Sequence, residues 1–249
     1  MGKTGGGVGT NQYGVKGVSQ VNQQRSEVID ALAHAHYDQE TPAEVLADLA
    51  LSEDDNVRLL AAQNWRTPLA TLALLAEDEN PDVRLAIPLN ARTPPSTLAL
   101  LARDENRHVR CAVAGDHRTP TSALARLAED ENSGVRWAVA TNPHTLPATI
   151  ERLADDGDYD VRSQAAASDH MPPEALARLA EDEDWRVRMS VASNARTPVV
   201  VLERLSRDEY EGVRREVAWN RNTPHEVTEV LAQDECFKVR EAARGHRSF

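Results

Sequence analysis

The chain has 249 residues, of which 41% are hydrophobic, 27% are charged and only 4% are aromatic. This composition is typical of a globular protein with an aliphatic core. The formal net charge of -12 disfavours nonspecific binding of nucleic-acid phosphates, and two cysteines are too few for a disulfide framework or a cysteine metal cluster. With no apolar run of about 18 residues and no signal-peptide pattern, we expect a cytoplasmic protein without a cofactor or metal.

The first 40 residues differ from the rest of the chain. Residues 1–25 contain seven glycines, three basic residues and no acidic residue, which predicts a flexible tail. Because this tail carries +3, residues 26–249 carry a net charge of -15. Residues 26–40, SEVIDALAHAHYDQE, read as an amphipathic helix that caps the N-terminal end of the following segment.

Residues 41–249 repeat with a period of 26. Eight units begin at residues 41, 67, 93, 119, 145, 171, 197 and 223, and no gap is needed to align them. The ninth position of every unit is Leu, the seventeenth is Val and the eighteenth is Arg. This regularity predicts a single array of eight repeats.

Each unit contains two short helical patterns. The first opens with Thr-Pro in six of the eight units, and we expect Thr to be the N-cap and Pro the first helical residue. The second carries Val at position 17 and small or apolar residues at positions 20 and 21. Pro88 lies inside this second pattern, so we expect the second element to be short or partly 3₁₀. Stacked units of this kind predict an all-α solenoid.

The consensus TPxxxLxxLAxDExxxVRxAVAxNxR resembles the variant leucine-rich repeat family over about residues 41–248. The resemblance rests on the Leu-Ala-x-Asp block, the Val-Arg pair and the Asn-x-x-Thr-Pro junction. It implies a right-handed superhelix in which α-helical elements alternate with 3₁₀-like ones. One branch of the family carries a four-iron, four-sulfur cluster in a cysteine-rich N-terminal segment, but residues 1–40 contain no cysteine and no cluster is expected. The Val-Arg portion is also similar to HEAT-like repeats, including those of bilin lyases, and the tail is similar to segments of actinobacterial proteins.

Position 12 is Asp in seven units, and together with the invariant Arg at position 18 it forms two charged columns. Aspartate and arginine can bridge neighbouring helical elements by bidentate hydrogen bonds, so we interpret the columns as a structural ladder. The alternative is that the arginine column binds a polyanion. The ladder residues chosen for this role are Asp78, Arg84, Asp104, Arg110, Asp130 and Arg136.

Two further columns are candidate partner-binding surfaces. Position 19 is apolar in most of the first six units and either forms an exposed binding stripe or covers seams between units; its candidates are Leu59, Leu85, Trp137 and Met189. Position 26 forms a basic edge, with candidates Arg66, Arg92, Arg118 and Arg196. Position 13 is acidic in seven units. These charged rows indicate either a charged protein partner or a solvated surface.

The sequence therefore favours a noncatalytic scaffold or adaptor that binds another protein. No serine, cysteine or carboxylate is paired with a base in the pattern of a nucleophilic enzyme. The first alternative is a solenoid that binds nucleic acid along the basic edge and tail. The second is a lyase of the HEAT-like kind, which rests on analogy of fold alone.

Overall fold

The computed structural model describes residues 41–245, and all of the regular elements in this range are helices. The predicted tail (residues 1–25) and capping helix (residues 26–40) lie outside the described residues, as do residues 246–249. The sequence predicts one array over residues 41–249. In the structure the chain divides into two compact units, Met1–Arg92 and Thr93–Phe249. The boundary falls between the second and third repeats, and the two units are described separately.

The described part of the first unit holds two repeats, each made of two helices. Its helices are α1 (Ala43–Leu49), α2 (Asp55–Gln63), α3 (Leu69–Leu75) and α4 (Pro81–Leu89).

The second unit holds the other six repeats, and helices of seven and nine residues alternate along it. Its helices are α5 (Pro95–Leu101), α6 (Arg107–Gly115), α7 (Thr121–Leu127), α8 (Ser133–Thr141), α9 (Pro147–Leu153), α10 (Tyr159–Ala167), α11 (Pro173–Leu179), α12 (Trp185–Ser193), α13 (Val199–Leu205), α14 (Glu211–Trp219), α15 (His225–Leu231) and α16 (Phe237–Gly245).

Both units are built by the same packing rule. The leucine at position 9 and the valine at position 17 are buried in every repeat. Within each unit the second helix of a repeat packs against the second helices of its neighbours, and each first helix packs on the second helix of its own repeat. Neither helix can bury its apolar stripe alone, so the stacked arrangement supplies the aliphatic core. The predicted all-α solenoid of 26-residue, two-helix repeats is confirmed within each unit.

The second helix is short, at nine residues, but it is α-helical in every described repeat rather than partly 3₁₀. Pro88 is the eighth of the nine residues of α4. Its missing N–H therefore removes one hydrogen bond near the C-terminal end, where the helix stops at Leu89. Because the proline is so close to the end, the preceding turns keep their hydrogen bonds and the helix stays α-helical.

The helix starts differ from the expected caps. In the Thr-Pro repeats, proline takes the N-cap position and the threonine lies one residue outside the helix. The buried threonine hydroxyl instead donates backward to the end of the preceding second helix, as from Thr119 to the Val113 carbonyl (2.6 Å). Thr145, which is followed by Leu146 in place of proline, donates to the Val139 carbonyl (2.7 Å) in the same way. The assignment of Thr as N-cap is thus wrong, because its hydroxyl joins two helices rather than starting one.

Candidate functional site

The charged columns at positions 12 and 18 meet between successive repeats. Arg110 donates from Nε to Asp130 Oδ2 (2.6 Å) and from Nη2 to Oδ1 (3.0 Å), and its Nη1 donates to the carbonyls of Asp104 and Glu105 in its own repeat. One guanidinium thus ties together a turn and the following repeat. The same bidentate pairing joins Arg136 to Asp156, Arg162 to Asp182, Arg188 to Asp208 and Arg214 to Asp234, and Arg58 to Asp78 in the first unit.

The remaining ladder candidates have local hydrogen bonds. Arg84 is buried, and its Nη1 donates to the carbonyl of Asp78 at 2.8 Å. Asp104 accepts the N–H of Asn106 at 2.8 Å, which fixes the turn before α6. The carboxylate of Asp130 makes the equivalent bond to the N–H of Asn132.

The ladder carboxylates are held in their charged form. Burial raises the pKa of Asp130, but the hydrogen bond from Arg110, the Asn132 N–H and the attraction of nearby arginines outweigh it, and the pKa lies below its ordinary value. The hydrogen bond that Arg110 donates to Asp130 raises the pKa of Arg110 against the opposing effect of burial. Six of the eight arginines at position 18 are thus paired with aspartates of position 12, which disfavours the alternative that this column binds a polyanion.

Exposed glutamates at position 13 lie beside this ladder. Glu131 is 90% exposed, with its carboxylate 3.5 Å from Nη2 of Arg110, and Glu235 stands in the same relation to Arg214. Exposed pairs of this kind contribute little to stability because water and salt screen them. The glutamates therefore give the turns a negative surface without adding much to the stability of the stack.

The asparagines at position 24 form a second set of bonds between repeats. The buried side chain of Asn142 donates from Nδ2 to the carbonyls of Ala114 (2.7 Å) and Asp116 (2.9 Å), while its Oδ1 accepts the N–H of His144. Asn90, Asn194 and Asn220 donate in the same way. These residues have extended backbone, so they act by bridging repeats and not by a left-handed turn.

The basic edge at position 26 is largely engaged with the backbone. Arg92 donates to the Arg66 carbonyl (3.2 Å), and Arg196 donates to the Asp169 carbonyl (3.1 Å). Arg118 forms an ion pair with Asp116 at 2.5 Å. The Arg66 guanidinium lies 5.8 Å from the ring centroid of Trp65. Each of these side chains thus has a contact within the chain: Arg118 is paired with a carboxylate, whereas Arg92 and Arg196 are exposed and keep their charge at the surface.

The stripe at position 19 lies along the seams between second helices. Leu59 and Leu85 in the first unit and Met189 in the second are half-buried, whereas Trp137 is 44% exposed. The polar member Ser163 shows the seam directly, because its hydroxyl reaches Ser190 of the next repeat at 2.8 Å. The half-buried members of position 19 therefore lie at the seams between second helices, whereas Trp137 presents a large exposed side chain.

Two cavities lie between neighbouring second helices of the second unit. One, of about 360 Å³, lies between α8 and α10 and is lined by Ser133, Gly134, Trp137, Asp158, Asp160 and Val161. The other, of about 690 Å³, lies between α14 and α16 and is lined by Arg215, Glu216, Trp219, Lys238, Glu241, Ala242 and Gly245. Most of these residues occupy positions 16, 19, 20 and 23, which share one helix face. We call this surface of α6, α8, α10, α12, α14 and α16 the second-helix face.

Sequence reasoning identified Trp137 on this surface but missed its neighbours. Asp158, Asp160 and Trp219 also line these cavities but were not among the predicted site residues. Position numbers were the available signal, because Trp137 at position 19 and Trp219 at position 23 lie on the same face of equivalent helices.

The range of residues 41–245 holds no group of three His, Cys, Asp or Glu residues placed to bind a metal ion. Neither is any of its helices long and apolar enough to cross a bilayer. Cys111 and Cys236 are free thiols, and burial raises the pKa of Cys111.

Comparison with solved structures agrees with this geometry. A protein described as a leucine-rich repeat variant with a novel repetitive structural motif matches with a TM-score of 0.65 and 27% sequence identity, over 82% of this chain and 81% of that one. The predicted resemblance to the leucine-rich repeat variants is confirmed. The Escherichia coli protein YibA matches with a TM-score of 0.49 and 14% identity, over 89% of this chain and 97% of that one. No protein-family model and no curated protein matches the sequence. These comparisons therefore show the fold and do not indicate an activity.

Proposed function

We propose that this protein is a noncatalytic scaffold that binds another protein through its second-helix face. The observation that carries the proposal is the coincidence of two cavities and two exposed tryptophans on that one face. Trp137 and Trp219 are 44% and 55% exposed. Tryptophan is enriched among the residues that dominate protein–protein binding energy, especially where it lies beside a pocket that a partner can fill. Helical repeat folds typically offer such extended surfaces to protein partners.

The charge pattern of the face supports a protein partner over a nucleic acid. Basic and acidic side chains alternate around the larger cavity, where Arg215 forms an ion pair with Glu216 (3.0 Å) and Lys238 lies near Glu241. Nucleic-acid backbones need a continuous basic track. At the basic edge, the ion pair of Arg118 with Asp116 interrupts the row of positive charges. A cytoplasmic location belongs to the same proposal, in keeping with the two free thiols.

A selection from a random peptide library, made against the full chain, tests the proposal. Peptides that are enriched are then titrated in solution against Trp137→Glu, Met189→Glu and a matched control, Leu100→Glu. Leu100 is 46% exposed, nearly the same as Trp137, but it lies on the first helix of its repeat. We expect affinity to fall at least about tenfold with the two second-helix variants and less than about twofold with the control. Equal losses in all three variants, or a loss with Leu100→Glu alone, would place binding elsewhere.

A further inference from the structure

The smaller cavity has the chemistry of a site for a cation. Its lining includes Trp137, Asp158 and Asp160. Among the described residues, its lining contains no lysine or arginine. The ladder arginine Arg136 forms its bidentate pair with Asp156 and also attracts the carboxylate of Asp158. The cavity thus joins an aromatic side chain to two acidic ones, and Asp160 is the acidic residue that makes no ladder pair.

The carboxylate of Asp158 is fixed in place. Its Oδ1 accepts the N–H of Asp160 at 2.9 Å, which caps the start of α10. A hydrogen bond from Ser133 and the Asp160 N–H lower the pKa of Asp158 below its ordinary value. Asp158 is therefore charged at neutral pH, and its position is set before any ligand arrives. Gly134 also lines the cavity and contributes no side chain to it.

Elsewhere in the second unit, the protein places one of its own guanidiniums between aromatic rings and an aspartate. The Arg186 guanidinium lies 4.8 Å from the ring centroid of Tyr159 and 4.7 Å from that of Trp185. The same guanidinium pairs with Asp184, with 3.1 Å between Nη1 and Oδ2. Arg186 occupies position 16 of its repeat, where the repeat that bears Trp137 has Gly134. The rings belong to position 15, so this cluster lies at the first turn of the second helices, and it shows that the neighbouring surface accommodates a guanidinium beside aromatic rings and an aspartate.

We propose that the cavity beside Trp137 binds the guanidinium of an arginine side chain from a protein partner. The planar guanidinium stacks on the indole and donates N–H groups to Asp158 and Asp160, a combination that fits arginine better than lysine. This inference rests on the proposed function, since it names the chemistry of the partner at one point of the second-helix face. It makes the recognition at repeats four and five selective for a basic side chain.

A nuclear magnetic resonance titration of the full chain with acetyl-Gly-Arg-Gly-amide tests the inference. The probe signal is the indole N–H of Trp137, identified by its loss in Trp137→Phe. We expect a saturable shift with a dissociation constant on the order of 10 mM, as befits a single cation–aromatic contact with two partly solvated ion pairs. The peptide with citrulline in place of arginine has the same shape without the charge and should give no saturable shift.

Variants separate the cavity from general charge attraction. Asp160→Asn should weaken binding of the arginine peptide at least about threefold, whereas Asp155→Asn should leave it within about 1.5-fold. Asp155 is an exposed aspartate, paired with Arg178, that does not line the cavity. Equal shifts with the citrulline peptide, equal losses in the two variants, or no shift would overturn the inference. If library peptides still bind the second-helix face in that case, the cavity inference alone fails; if none does, the proposed function fails as well.

Discussion

Arg110 and Asp130 are 20 residues apart in sequence and form a bidentate ion pair between the third and fourth repeats, with side chains only 11% and 8% exposed. The same guanidinium also satisfies two backbone carbonyls of its own turn. Within each unit, the paired arginines thus fix both the turn of their own repeat and the spacing to the next repeat. The ladder belongs to the framework that positions the second-helix face.

Removal of one partner of this pair should be costly. Asp130→Ala leaves the buried guanidinium of Arg110 without its carboxylate, and we expect a loss of about 3 kcal/mol in the free energy of unfolding. Glu131→Gln is the matched control, because Glu131 also faces Arg110 but is 90% exposed, and it should cost less than about 0.5 kcal/mol. Urea unfolding followed by circular dichroism measures both. Similar costs in the two variants would contradict a structural role for the ladder.

Acid should unfold the protein through the ladder carboxylates. The pKa values of Asp78, Asp130, Asp182 and Asp234 are all lowered in the folded protein. Their stabilisation is complete above the ordinary aspartate pKa of about 4 and is lost as the pH falls through that value toward the folded one. The urea concentration at the midpoint of unfolding should therefore fall as the pH is lowered below about 4. The double variant Asp130→Asn/Asp182→Asn should be less stable at pH 7 but lose less on acidification; an unchanged pH dependence would contradict this.

The asparagine bridge predicts an unusual order of variants. Asn142→Asp keeps the shape and the acceptor for the His144 N–H but turns a carboxylate oxygen toward the carbonyls of Ala114 and Asp116. It should therefore destabilise more than Asn142→Ala, which we expect to cost about 2 kcal/mol. Melting temperatures at pH 7 and pH 4 check this, since protonation should partly rescue the aspartate variant. The exposed Asn222→Ala serves as control and should have a small effect.

The comparison of sequence and structure shows where pattern reasoning stops. The 26-residue period, the buried Leu and Val columns and the pairing of Asp with Arg follow from residue type and spacing. The direction of the Thr145 hydroxyl and the reach of Asn142 do not, because both depend on how closely successive second helices stack. The cavity beside Trp137 could not be predicted for the same reason. Asp158 and Asp160 belong to the next repeat, and their distance from Trp137 depends on how the two second helices pack.

The ring of Tyr210 leaves no room for a larger side chain at Gly212. A Cβ built on Gly212 would lie 2.5 Å from Cε1 of Tyr210, whose ring packs against Trp185 with 4.1 Å between centroids. Gly212→Ala should therefore destabilise by about 1 kcal/mol, because the ring must move. In a Tyr210→Ala background the same substitution should stabilise by about 0.5 kcal/mol, as alanine normally does in a helix. Thermal unfolding of the four proteins measures this reversal of sign, and Gly115→Ala, with open space at its Cβ, should stabilise in both backgrounds.

Amide hydrogen exchange in the presence of a library-selected peptide tests the proposed binding surface most directly. If the second-helix face is the interface, the peptide should slow exchange mainly in the second helices of the second unit, above all in Ser133–Thr141 and Trp185–Ser193. The adjacent first helices, such as Pro95–Leu101 and Thr121–Leu127, should exchange as they do in the free protein. Protection centred on those first helices, with the second helices unchanged, would contradict the account.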